Sequence, residues 1–216
     1  CLTVLAKVAF QQERIPEAAA FATSAKATSP NPDRLARAKA YGLRDAELVT
    51  RDELDVESFV FPPAKKSNKF YTYAYYLGSQ GNFVSAGKEE LFAAPKDEIT
   101  AGPRYSRPEQ GVGVRLTSYD GRSYHFDFDA GGDKILKPGL YEEATGSNYN
   151  NPGLSFGGDG RGGNTNKGKF IVHEIVWDGE SKVQRFAADF IADGGYSHDG
   201  ALNAVYGKVR YNSTFE

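Results

Sequence analysis

Glycine divides this chain into two unlike parts: of 24 glycines in 216 residues, Gly42 is the only one among the first 69. The aromatic residues follow the same division, with only Phe10, Phe21, Tyr41, Phe59 and Phe61 in that first stretch, whereas 13 alanines fall there. Dense glycine with Tyr, Phe and Val favours short strands joined by tight turns, and sparse glycine with Ala, Leu, Glu and Arg favours helix. The distribution therefore predicts a mainly β chain. Residues 70–216 form an antiparallel β-sandwich or jelly roll, and residues 1–69 form an Ala-rich extension holding a strand and short helices. Pro62-Pro63-Ala64-Lys65-Lys66-Ser67-Asn68 reads as the linker between them.

Strand signals recur from Phe70 onward. Residues 70–77 are an aromatic strand closed by Gly78-Ser79-Gln80-Gly81-Asn82. Residues 112–117 and 124–129 flank Ser118-Tyr119-Asp120-Gly121, and residues 169–177 and 182–190 flank Asp178-Gly179-Glu180-Ser181. An Asp-Gly pair between two alternating runs is a strong hairpin signal. Residues 204–212 read as the closing strand. No helix between these runs is long enough for a parallel crossover, which favours the antiparallel sandwich.

Within the extension, Leu2, Val4, Ala6, Val8 and Phe10 alternate with more polar positions, as a strand does. Pro16 suits a first helical turn, Asn31-Pro32-Asp33 offers an N-cap with Pro at N1, and Thr50 with Glu53 forms a capping box ahead of Leu54, Val56 and Phe59. These helices bury too little to make a core of their own and are expected to lie against the sandwich or a neighbouring molecule.

The charge is balanced, with 26 basic and 28 acidic residues and a net charge of −2, so no global field draws the chain to nucleic acid. No apolar run approaches the roughly 18 residues of a membrane helix. The chain lacks Met and its single Cys is Cys1. A lone cysteine makes no internal disulfide, and its position fits a bacterial lipoprotein cut from its leader and lipidated at Cys1, which would be the chain's one contact with a membrane.

Several short stretches in the last 95 or so residues occur in a definite order: Phe126-Asp127-Phe128, Pro138-Gly139-Leu140-Tyr141, Asn151-Pro152-Gly153-Leu154, Gly158-Asp159-Gly160-Arg161-Gly162-Gly163-Asn164, Phe186-Ala187-Ala188-Asp189-Phe190 and Val209-Arg210-Tyr211-Asn212-Ser213. In this the chain resembles a domain of uncharacterised secreted or surface proteins of bacteria. The resemblance implies a β-domain outside the cytoplasm and assigns no activity. It also implies a disulfide between the Gly-Arg-Gly loop and the strand end, whose two places hold Gly163 and Gly194-Gly195 in this chain. The stretch 145–167 then has to be held by hydrogen bonds or by a partner, since such a bridge contributes about 2–4 kcal/mol.

Three constellations carry possible chemistry. Tyr124, Phe126 and Phe128 point one way along their strand, so His125, Asp127 and Asp129 share the opposite face at steps of about 7 Å. That row suits the polar side of a half-buried strand, a cation, or the carboxylate pair of a glycoside hydrolase, whose members stand about 5 to 9.5 Å apart. The glycine-rich stretch from Gly157 to Asn164 suits a turn, or a calcium or ligand site using Asp159 and Asn164, but lacks the Lys-Ser/Thr of a phosphate-binding loop. Glu174, Asp189 and Arg210 interrupt apolar strands, with Arg161 near them in the pattern, which suits a structural pairing of Arg210 with Asp189 or Glu174, or a ligand pocket lined by these charges. The histidines His125, His173 and His198 have no nucleophile motif beside them. Tyr71, Tyr73, Tyr75, Tyr76, Tyr119, Tyr149, Trp177 and Tyr196 are available for core packing or for stacking on sugars.

The expected function is that of a non-enzymatic bacterial protein of the outer membrane or cell surface, a structural or assembly subunit attached through its N-terminal segment. Its partners would be other protein subunits, with the stretch 2–10 added to a neighbour's sheet, and it would need no cofactor, calcium apart. A carbohydrate-binding module, using the Tyr-rich surface and the stretch 145–166, and a glycoside hydrolase, using Asp127 and Asp129, are the alternatives.

Overall fold

The computed structural model describes residues 49, 51, 54–104, 109–146, 149–194 and 203–216. Cys1, the strand at 2–10, the helices after Pro16 and Asn31, Thr50 and Glu53 of the capping box, Tyr196 and His198 lie outside the described residues.

Eleven strands run in chain order: β1 (Lys66–Gly78), β2 (Glu89–Ala93), β3 (Glu98–Pro103), β4 (Gly111–Thr117), β5 (Ser123–Asp129), β6 (Gly139–Ala144), β7 (Gly153–Gly158), β8 (Arg161–Gly162), β9 (Lys167–Trp177), β10 (Val183–Asp193) and β11 (Ala204–Phe215). They form a β-sandwich of a six-stranded sheet, β2-β1-β11-β10-β9-β6, and a five-stranded sheet, β3-β4-β5-β7-β8, with every strand pair antiparallel. Both expected hairpins are present as β4–β5 and β9–β10. In the first turn Gly121 takes the left-handed position at φ 88°, and in the second Ser181 takes it at 59°.

The core between the sheets is aromatic. Phe126, Phe128 and Phe156 from one sheet meet Phe170, Phe186 and Phe190 from the other, all at most 3% exposed. Their rings contact at 5.2–6.1 Å, as between Phe128 and Phe186 or Phe156 and Phe190. Gly207 on β11 leaves room for this packing, because a Cβ there would lie 2.4 Å from Cε1 of Phe190 and 2.8 Å from the carbonyl oxygen of Tyr75. Gly207→Ala is therefore expected to cost about 1–3 kcal/mol through overpacking, read as a lower urea midpoint with an unchanged slope.

A second cluster covers the outer face of the six-stranded sheet. Val49, Leu54, Val56 and Phe59 are buried there against Tyr73, Tyr75, Leu77, Ile191 and Tyr206. Residues 54–59 form a turn and extended chain instead of the short helix expected after the capping box. Asp55 holds that turn, its carboxylate accepting from the Glu57 and Ser58 amides and from the Ser58 hydroxyl. The segment straps the sheet crosswise. Arg51 donates to the carbonyls of Gly78 at 3.2 Å and Gly87 at 2.7 Å, while Glu57 meets Lys167 and Lys169 at the start of β9.

The stretch 145–167, expected as a loop, contains β7 and β8. β7 pairs with β5 along its length, and Asp159-Gly160, with φ of 53° and 76°, turns it into β8. The mirror-type turn that joins tightly twisted strands needs such positive φ at both central positions.

Candidate functional site

The alternation along β5 places Tyr124, Phe126 and Phe128 in the core and His125, Asp127 and Asp129 on the outer face of the five-stranded sheet. Neither carboxylate is free. Asp127 is 6% exposed and accepts from Nη1 of Arg115 on β4 at 2.6 Å. Asp129 lies 3.9 Å from Nη1 of Arg104, just past β3, and also accepts from the Gly131 amide at 2.8 Å. Glycines opposite these residues let the charged side chains lie flat on the sheet. A Cβ at Gly113 would come within 2.9 Å of Asp127 Oδ1, one at Gly153 within 2.3 Å of Arg104 Nη1, and one at Gly157 within 2.3 Å of His125 Cε1.

This face carries a trough of about 520 Å³. It is lined by His125 and Gly158, by Arg115 with Thr117 and Ser123 on one side, and by the β7–β8 hairpin with Asp159, Gly160 and Arg161 on the other. The trough brings Asp127 and Asp159 together; Asp129 and Asn164 do not line it. Asn164 is exposed in the chain after β8. Among the described residues no group of three His, Cys, Asp or Glu side chains converges as a metal site would require.

His125 is half-buried, and its imidazole makes no hydrogen bond among the described residues. Burial foremost, then the nearby Arg115 and Arg104, push its pKa below the ordinary histidine value against the pull of Asp127. The ring is therefore neutral at pH 7, with one nitrogen a donor and the other an acceptor. Among the described residues Arg115 uses only Nη1, toward Asp127 and the Val114 carbonyl, and its side chain is 55% exposed.

The charges in the apolar strands lie in the other sheet. Arg210 and Asp189 are both fully buried on its outer face and meet at 2.7 Å. Arg210 also donates to the backbone oxygens of Ala188, Val209 and Glu216, and His173 Nε2 stands 3.3 Å from the second Asp189 oxygen. Glu174 is separate: it accepts from Ser213 and the Thr214 amide and pairs with Arg185 at 3.3 Å. Arg161 is not part of this set; it stands beside the exposed Phe83 on the opposite sheet's hairpin.

One network has no counterpart among the residues expected from sequence. Glu90 on edge strand β2 receives the hydroxyls of Tyr76 at 2.5 Å and Tyr124 at 3.2 Å and Nη1 of Arg122 at 2.5 and 2.7 Å, which ties β2 to β5 across the rim of the sandwich. Burial first, then Glu90, raise the Tyr76 phenol far above its ordinary range, so it stays protonated and donates to the Glu90 carboxylate. Only the cross-sheet fold brings these four residues together, and no local spacing signals them.

Of the aromatics available for stacking, Tyr73, Tyr75 and Tyr76 are buried and Trp177 packs half-buried against the core, whereas Tyr119 and Tyr149 are 69% and 52% exposed. Tyr119 carries Lys96 over one ring face at 3.7 Å, and the Tyr149 hydroxyl donates to Asp133 at 2.7 Å. No family model, curated protein or solved structure matches this chain.

Proposed function

We propose that this chain is a non-enzymatic bacterial protein of the cell surface, a structural or assembly subunit attached through its N-terminal segment, with Cys1 as the lipidated residue. The observation that carries this reading is the strap. Val49, Leu54, Val56 and Phe59 fix the segment to the outer face of the six-stranded sheet, and Arg51 and Glu57 hold it at the two sides. Tension arriving from the N-terminal side would pass into the middle of a six-stranded sheet and not into a loose linker.

The acidic face supports the non-catalytic part of the reading. Glycoside hydrolysis needs two carboxyl groups that both face the scissile bond, whereas Asp127 is engaged by Arg115 at 2.6 Å and Asp129, which accepts from the Gly131 amide at 2.8 Å, does not line the trough.

The test is the mass of gently extracted native protein by light scattering, before and after proteolytic removal of residues 1–48, a cut that spares the strap. A large particle that falls to the monomer is the expected result. A monomer before and after the cut, or a particle that the cut leaves unchanged, would overturn the assembly role.

A further inference from the structure

We propose that the trough on the outer face of the five-stranded sheet binds a saccharide, with uncharged pyranose rings lying over His125 and their hydroxyls held by Arg115, Arg161 and Asp159. The inference does not depend on how the chain is attached.

The trough owes its shape to glycine. Outward positions of a solvent-facing sheet normally carry side chains, yet β7 has Gly157 over His125, and the turn and short strand beyond it carry Gly160 and Gly162. A Cβ at Gly157 would strike the imidazole at 2.3 Å, whereas a Cβ at Gly160 or Gly162 would meet nothing within 4 Å. The first glycine lets the ring lean over the strand, and the other two keep the hairpin wall thin and open. The volume of about 520 Å³ falls within the roughly 300–1,000 Å³ of small-molecule sites.

The trough also holds hydrogen-bonding groups that the fold leaves unused. Nε and Nη2 of Arg115, the His125 imidazole, the Thr117 and Ser123 hydroxyls and the Asp159 carboxylate make no side-chain hydrogen bond among the described residues, and Arg161 makes one at 3.5 Å to the Phe83 carbonyl beside its 5.9 Å contact with the Phe83 ring. Donors and acceptors are thus interleaved within one trough. Each guanidinium has a carboxylate at hand, Asp127 for Arg115 and Asp159 in the same hairpin as Arg161, so the trough lacks the excess positive charge that an anion would need. A polyhydroxylated ring, in which every hydroxyl both gives and takes a hydrogen bond, matches that pattern. Hydrogen bonds from such groups to Arg and Asp are of the stronger, charge-assisted kind.

The experiment titrates the full chain with uncharged hexasaccharides of glucose, xylose, mannose, galactose and N-acetylglucosamine, and with a uronic-acid hexasaccharide, following heat of binding and the His125 ring resonances. At least one uncharged sugar should bind with Kd of about 1 mM or tighter and shift the His125 signals. Arg161→Ala and Asp159→Asn should each weaken it about tenfold, the loss expected when one charge-assisted hydrogen bond is removed. Asp159 is exposed and Arg161 half-buried at the surface, and Asn tolerates the left-handed backbone at 159, so the Asp159→Asn variant should keep the wild-type urea midpoint and Arg161→Ala should stay folded, which its urea curve checks. The proposal is overturned by the absence of binding to any uncharged sugar, by binding of the uronic-acid sugar alone, or by binding that leaves His125 and both variants unaffected.

Discussion

Asp189→Ala is expected to lower the unfolding free energy by about 3–5 kcal/mol, the cost of leaving a buried charge uncompensated. The substitution strands Arg210, which is completely buried and whose shortest hydrogen bond, at 2.7 Å, goes to the lost carboxylate. Lys208, directly across from Asp189 on β11 and 2% exposed, loses a neighbouring opposite charge as well. Against a typical total of about 5–15 kcal/mol, such a loss leaves a chain that is partly unfolded at moderate urea. Asp189→Asn keeps an oxygen for Arg210 and should lose less than the alanine variant. The pH dependence separates charge from shape. Burial alone would raise the Asp189 carboxyl, but Arg210, Lys208 and His173 outweigh it and hold it well below the ordinary carboxylate range. A depressed folded-state pKa means that the contribution is complete above the unfolded value of about 3.9 and disappears as pH falls through the folded value. Urea midpoints measured from neutral pH downward should therefore fall for the wild-type chain below about pH 4, and part of that slope should be missing in Asp189→Ala.

That Arg210 pairs with Asp189 or Glu174 was legible in the sequence, because a charge inside a run such as Phe186-Ala187-Ala188-Asp189-Phe190 has to find a partner nearby; the choice of Asp189 follows from the packing. The acidic face of β5 was legible for an equally local reason, the alternation of Tyr124, Phe126 and Phe128 with His125, Asp127 and Asp129. What settles the character of that face is not local. Arg115 reaches Asp127 from β4, Arg104 reaches Asp129 from beyond β3, and the hairpin with Asp159 and Arg161 folds back beside them, so the trough follows from strand register. The same distinction explains which strands could be read. β1, β4, β5, β9, β10 and β11 carry aromatic or β-branched residues in alternation or in buried runs. β6 lies at an edge with four of its six residues exposed, and so shows no alternation. β7, with Gly153, Gly157 and Gly158 among its six residues, has the composition of a loop and becomes a strand only by lying against β5. The same is true of Leu54 to Phe59: the spacing resembled a short helix, but the wide aromatic face of Tyr73, Tyr75 and Tyr206 is covered by extended chain around a turn at 56–58, and extended chain spans more sheet per residue than a helix does.

That covering carries the second large effect. Phe59 is 5% exposed and its ring lies 5.2 Å from that of Tyr206 and 5.4 Å from that of Phe61, so Phe59→Ala is expected to cost about 3 kcal/mol, near the lower end for a buried phenylalanine because the strap can settle toward the sheet. Deleting residues 1–61 should do more than sum such losses. It removes Leu54, Val56 and Phe59 together and opens Tyr73, Tyr75, Leu77, Ile191 and Tyr206 to water as one contiguous apolar patch, the kind of surface that drives self-association. Deleting residues 1–48 leaves the patch covered. Thermal unfolding and sedimentation of the two truncated chains distinguish the strap from a passive linker. The shorter deletion should melt cooperatively as a monomer, and the longer one should melt at least 10 °C lower, since about 3 kcal/mol shifts the midpoint by roughly 6–12 °C in a domain of this size, and should sediment as dimers or larger species. Equal melting temperatures and monomeric behaviour in both would mean that the sheet is self-sufficient beneath the strap, and the route by which tension enters the sandwich would have to lie elsewhere.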